Sequence, residues 1–281
     1  ALVVVEIDFR TTACVEDALV NLAYYNINGY TNSQSGDGFF EALAGWMRRN
    51  NNGEARPEWH AKTPGVGVAI ANASRAVTEP GDAVLINQPV YYPFSNIILQ
   101  NGRKRVSSDL VCGEDGSYTI DFQDFEQKIV ENQGKLFILC NPHNPVGRVW
   151  TKEELLRIGT ICREHQVLVF SDEIHFDFIW SGEHHVFQEV DPAFREFTMT
   201  ATAPSKTFNL AGLQQSTIFI PNEKIRKAFL RQSQVSGLDE PNTFGLAATQ
   251  AAYNHGDEWY EAMTQYVWDN ICYATAFIDD G

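Results

Sequence analysis

Ile138-Leu-Cys-Asn-Pro-His-Asn-Pro-Val-Gly147 runs an apolar segment straight into two Asn-Pro steps and a glycine. The residues from Lys135 to Cys140 read as a strand, and the asparagine–proline pairs, which favour turns, end it. Downstream, Thr151 to His165 begins with a threonine N-cap, places Glu153 and Glu154 in its first turn and closes near His165. That order suits both ends of a helix dipole. Val167 to Ser171, Phe197 to Ala201 and Ser216 to Ile220 read as further strands. Upstream, Ala83 to Asn87 is another, introduced by the turn Pro80-Gly81-Asp82. Helices are expected over Asp37 to Arg49, Val66 to Thr78, Tyr92 to Gln100, Phe122 to Asn132, Asn222 to Ser236 and Thr243 to Asn254. Short β-branched runs alternating with amphipathic stretches predict an α/β fold, a mostly parallel central sheet sandwiched by helices.

The bulk properties narrow the function. Hydrophobic residues at 44% and charged residues at 20% are globular proportions. A net charge of −15 gives no general attraction for phosphate backbones or anionic lipid, so neither nucleic acid nor a membrane surface is an expected partner. The five cysteines are scattered, with no zinc-ligand spacing, and read as reduced thiols of a cytoplasmic protein; no metal is expected. Glu6 and Asp8 interrupt the apolar opening Ala1-Leu-Val-Val-Val5, and no run approaches the ~20 apolar residues of a membrane span. The absence of an initiator methionine and the stop at Asp279-Asp280-Gly281, after the helical pattern from Asp257 to Ile278, read as a piece of a longer protein.

Four segments combine chemistry with position: Gln88 to Tyr92, Asn141 to Gly147, Asp172 to His175 and Ala203 to Thr207. Each follows an expected strand, the place where ligands bind in open parallel sheets. An electron-sink cofactor such as pyridoxal phosphate needs a lysine to form an imine and an acid to keep its pyridine nitrogen protonated. Lys206 and Asp172 are candidates. Asn144 could donate to the ring hydroxyl, Tyr91 could cover one ring face, and a helix N-terminus could cradle the phosphate. Taken singly, the lysine reads as a solvated surface residue, the aspartate and asparagines as turn formers and the tyrosines as core. Their order along one sheet edge favours the functional reading.

The residues also carry a family resemblance. Gly29-Tyr30-Thr31, Thr63-Pro-Gly-Val66, Pro89-Val-Tyr91, the run from Ile138 to Trp150, Ser171-Asp-Glu-Ile-His175 and Ala203-Pro-Ser-Lys-Thr-Phe-Asn-Leu-Ala-Gly212 are similar to the MalY/PatB-like cystathionine β-lyase branch of the fold-type I, class I and II aminotransferase superfamily. The resemblance implies Lys206 as the Schiff-base lysine, Asp172 as partner of the pyridine nitrogen, Asn144 on the ring oxygen and Tyr91 stacked on the ring. It implies a phosphate held by the backbone N–H groups of Val66 and Gly67 with help from Ser205. Tyr30 resembles the tyrosine that reaches the phosphate of the neighbouring subunit, which implies a homodimer with shared active sites. It further implies a large cofactor-binding domain over residues 15–260, with 1–14 and 261–281 as remnants of a small domain and the interdomain helix.

Several positions depart from the wider pattern. His175 stands where aminotransferases commonly have a tyrosine donating to the ring oxygen, as in the lyase branch. Ala203 replaces a phosphate-binding serine, and Gln214 or a neighbour stands where an arginine often grips the phosphate. Val3-Val-Val-Glu-Ile-Asp-Phe9 replaces the lyases' usual Trp-Val-Ala-Asp-Met-Asp-Phe. The activity implied is β-elimination from cystathionine or a related cysteine thioconjugate, yielding a thiol, pyruvate and ammonia. Transamination with the same residues, or a non-catalytic regulatory binding role on the same fold, are the alternatives.

Overall fold

The structure, a computed structural model, describes residues 9–31, 38–50 and 53–279. The divergent stretch from Val3, apart from Phe9, lies outside the described residues, as do the expected helix start at Asp37 and Asp280-Gly281.

Two helices come first, α1 (Ala13–Tyr25) and α2 (Phe39–Asn50). β1 (His60–Thr63) leads into α3 (Val66–Val77), and β2 (Ala83–Ile86) into α4 (Pro93–Gln100). β3 (Lys104–Ser107) precedes a small hairpin of β4 (Val111–Cys112) and β5 (Tyr118–Thr119), then α5 (Phe122–Asn132). β6 (Leu136–Cys140), α6 (Lys152–Glu164) and β7 (Leu168–Asp172) follow. Next come the short α7 (Phe187–Val190), β8 (Thr198–Thr202) and α8 (Pro204–Thr207). β9 (Ser216–Phe219), α9 (Glu223–Val235), α10 (Thr243–His255) and α11 (Asp257–Asp279) complete the described chain.

The sheet has the order β1-β9-β8-β7-β6-β2-β3. β9 is antiparallel to both neighbours, and the other pairs are parallel, so the remaining six strands point one way. Their C-terminal ends therefore collect at a single edge. The expected mostly parallel sheet is present, extended by β1 and β3, which lack the apolar run that marks a strand buried on both faces.

β6 shows how the layers arise from a period of two. Leu136, Ile138 and Cys140 face one core, shared with Ile70 of α3 and Phe229 of α9. Phe137 and Leu139 face the other, shared with Phe125 of α5 and Leu155 of α6. A third core joins Val15 of α1, Trp46 of α2 and Tyr253 of α10 to Phe208, just past α8. Helix starts are fixed locally. Thr151 and Glu154 form a reciprocal capping box on α6, Asp121 caps α5, and Asn222 caps α9. Among the described residues no helix is long and apolar enough to cross a membrane.

Candidate active site

A cavity of about 580 Å³ opens at the edge where the parallel strands end. The candidate residues arrive from several elements. Tyr91 lies between β2 and α4, Asn144 in the turn after β6, and Ser205 and Lys206 on α8 after β8; all four line the cavity. Val66 and Gly67 open α3 on the same wall, and His175 follows β7. Asp172 is the last residue of β7 and not the first beyond it, because it pairs in register with Cys140 of β6 and Ala201 of β8. Tyr30 does not line this cavity and is 95% exposed.

Backbone hydrogen bonds tie these loops together. Tyr91 N–H donates to the Asn144 carbonyl at 3.0 Å, and Asn141 N–H to the Asp172 carbonyl at 2.9 Å. Asn144 N–H donates to Cys140 Sγ at 3.3 Å, and the Cys140 thiol to the Pro142 carbonyl at 3.5 Å. The ends of β2, β6 and β7 thus hold one another's positions.

Burial dominates the electrostatics of the lining. Burial pushes the Asp172 carboxyl up to about 7, helped by Glu173 and opposed by the Ile174 N–H, which donates to Oδ1 at 3.2 Å, and by Lys206. A protonated ring nitrogen beside it would restore the charged form. Burial, and then the Lys206 charge, push His175 down to about 4, so its imidazole is neutral at physiological pH and offers one donor and one acceptor. Burial raises the Tyr91 phenol, reinforced by Tyr92 and Asp172.

Pyridoxal phosphate fits this lining. Gly65, at φ +97°, is the N-cap of α3 and supplies no side-chain cap, which leaves first-turn N–H groups for an anion. Lys206 would supply the amine, Asp172 the acid and Tyr91 a flat face, all three lining the cavity. The lining contains both Gln214 and Gln215 where an arginine could have stood, and Lys206 is its one Lys or Arg among the described residues. Gln214 Nε2 donates to the Ala211 carbonyl at 3.1 Å, while the buried Gln215 Oε1 has no partner among the described residues. Cys140 lines the cavity without having been expected there from the sequence. Cys140 reads as the last apolar residue of a strand, and only its register opposite Asp172 brings it to the site.

The sequence model of the family Aminotransferase class I and II matches residues 6–279. Cystathionine beta-lyase PatB of Bacillus subtilis is 41% identical over 276 residues, which cover 98% of this chain and 70% of that protein. The crystal structure of a PLP-bound putative aminotransferase from Clostridium difficile superimposes with a TM-score of 0.94 at 39% identity, covering 99% of this chain and 71% of its own. Cystalysin from Treponema denticola, whose structure contains pyridoxal 5'-phosphate, gives 0.93 at 35% identity over 98% of this chain and 70% of its own.

Proposed function

The chain belongs to the class I and II aminotransferase family, and on that premise we propose that it is a pyridoxal-phosphate-dependent carbon–sulfur β-lyase acting on cystathionine or a related cysteine thioconjugate. One observation carries the reading: Lys206 and Asp172 line a single cavity with the uncapped N-terminus of α3, so amine, acid and anion cradle serve one ligand. The choice of lyase over transaminase follows the 41% identity to a cystathionine β-lyase.

Bound in the cavity, pyridoxal phosphate supplies a ring that takes up the electron pair left by a departing α-proton. Lys206 Nζ would anchor that group, and its amine, when free, would be the base placed to accept the α-proton of an amino-acid substrate. Asp172 holds a proton on the ring nitrogen, since opposite charges in contact favour the ionised forms of both. Asn144 would donate to the ring oxygen with His175 beside it, Tyr91 would cover one face, and Val66, Gly67 and Ser205 would hold the phosphate. Removal of the α-proton by Lys206 would allow loss of a thiolate from the β-carbon, the products after reaction with water being a thiol, pyruvate and ammonia. The enzyme works as a cytoplasmic homodimer in which Tyr30 serves the neighbouring subunit's phosphate. Residues 15–260 form the large domain, and 1–14 and 261–281 belong to the small domain and its connecting helix.

The purified protein is expected to be yellow, to bleach on borohydride reduction with the label on Lys206, and to release pyruvate and a thiol from cystathionine. Lys206→Ala should lower the rate by about a hundred- to ten-thousandfold. Consumption of a keto acid without pyruvate release would make the protein a transaminase, and a colourless protein that takes up no cofactor would leave it a binding protein.

A further inference from the structure

Lys206 sits on a helix that cannot hold itself. α8 has four residues and no side-chain N-cap bond, far short of the length at which helices persist alone. Its orientation must come from anchors outside it. Thr207, the next residue and fully buried, donates its hydroxyl to Asp177 Oδ2 at 2.5 Å. Trp46 Nε1 of α2 donates to Oδ1 of the same carboxylate at 3.1 Å, and the Tyr260 hydroxyl of α11 donates to the Asp177 backbone carbonyl at 2.6 Å.

Asp177 is itself buried, at 4% exposure, and lies on the loop that carries His175 and leaves β7 at Asp172. A carboxylate withdrawn from water costs more than an apolar side chain of similar size would, so its retention calls for a role that packing does not fill. Both of its oxygens accept hydrogen bonds, Oδ1 from Trp46 and Oδ2 from Thr207, which makes this group a directional anchor. Through it, the loop that follows the cavity's carboxylate and the short helix bearing its amine are joined side chain to side chain.

We propose that Asp177 is a positioning residue that fixes Lys206 by gripping the hydroxyl of Thr207. The proposal rests on the reading of Lys206 as the cofactor lysine. Asp177 touches neither ligand nor reacting atoms; it sets where the amine stands relative to Asp172.

Three variants test it in the protein loaded with pyridoxal phosphate: Thr207→Val, which removes the hydroxyl at nearly constant volume, Thr207→Ser, which keeps it, and Asp177→Asn. Two readouts are taken, the pH titration of the bound cofactor's visible absorption band, and kcat and KM separately. Thr207→Val and Asp177→Asn are expected to displace the titration midpoint by about one pH unit, a tenfold change in proton affinity. They should lower kcat by about ten- to a hundredfold, the scale of a misplaced reacting group, with KM changed by less than about threefold. Thr207→Ser should behave as the wild type in both. If Thr207→Val titrates and turns over like the wild type, or Thr207→Ser is damaged as badly as Thr207→Val, the proposal is overturned. Should Asp177→Asn fail to fold, the two Thr207 variants decide alone. A wild-type protein that takes up no cofactor overturns the reading of Lys206 first, whereas normal loading with an indifferent Thr207→Val overturns only the role of Asp177.

Discussion

Asp172 is pulled in opposite directions by burial and by chemistry. Its carboxyl stands near 7 in the folded protein without ligand, against an ordinary 3.8. Between those values the native state retains a proton that the unfolded chain has released, so stability falls as pH rises from about 4 through about 7 and then levels off. Asp172→Asn keeps the shape and has no charge to bury. Compared with the wild type, thermal unfolding of the cofactor-free variant is expected to lack that falling contribution and to keep only the opposing rise from His175 between about 4 and 6.5, and an unchanged profile would assign the titration to another group. In the loaded enzyme the same substitution would remove the proposed proton holder at the ring nitrogen, and kcat should drop by about a hundredfold or more while KM moves less. His175 follows the opposite sign. Its value of about 4 lies below the ordinary 6.5, so any stability it contributes is present above the ordinary value and lost on acidification through the folded one.

At the level of elements, α6 shows how tightly the helical layer meets its neighbours. A methyl group on Gly159 would stand 2.1 Å from the ring of Phe194, which is fully buried. Gly159→Ala adds about 1 kcal/mol of helix propensity, yet the ring must move, and overpacking costs about 1–3 kcal/mol. Chemical denaturation should find the variant no more stable than the wild type and by this balance up to about 2 kcal/mol less so. β2, β6, β7, β8 and β9 were legible in the sequence because burial on both faces or a strong β-branched run marks them. β1 was not, since His60-Ala-Lys-Thr63 hides a buried lysine whose amine rests over the ring of Phe39. β3 was not legible either; Lys104 and Arg105 are exposed on an edge strand that needs no apolar alternation. α1 also went unread, its buried contact reduced to Val15. Of the nine expected site residues, eight line the cavity because each directly follows or ends a strand, or opens the helix after one. Asp177 escaped notice because its meaning lies in contacts with Trp46, Thr207 and Tyr260, which no local pattern encodes.

On the scale of the whole molecule, Tyr24, Tyr25, Ile27 and Tyr30 form an exposed apolar stretch from the end of α1 onward. Such a stretch suits a subunit contact, in keeping with the proposed dimer. If Tyr30 serves the neighbouring cavity, a Tyr30→Ala chain and a Lys206→Ala chain should complement each other. Random pairing of equal amounts makes half the dimers mixed, each with one intact site of two, so refolding together should recover about a quarter of wild-type activity. Recovery no greater than the sum of the separate variants would assign Tyr30 to its own chain. The first turn of α11 has a different bearing on how the protein can be cut. Trp259 stacks on Phe208 at 5.8 Å, and Tyr260 meets the Trp46 ring edge-on at 5.2 Å while its hydroxyl fastens the Asp177 carbonyl. A truncation placed in the gap after α10 would preserve every strand and still strip the lysine's surroundings of two aromatic clamps, so the shortest fragment able to retain the cofactor has to reach past Tyr260.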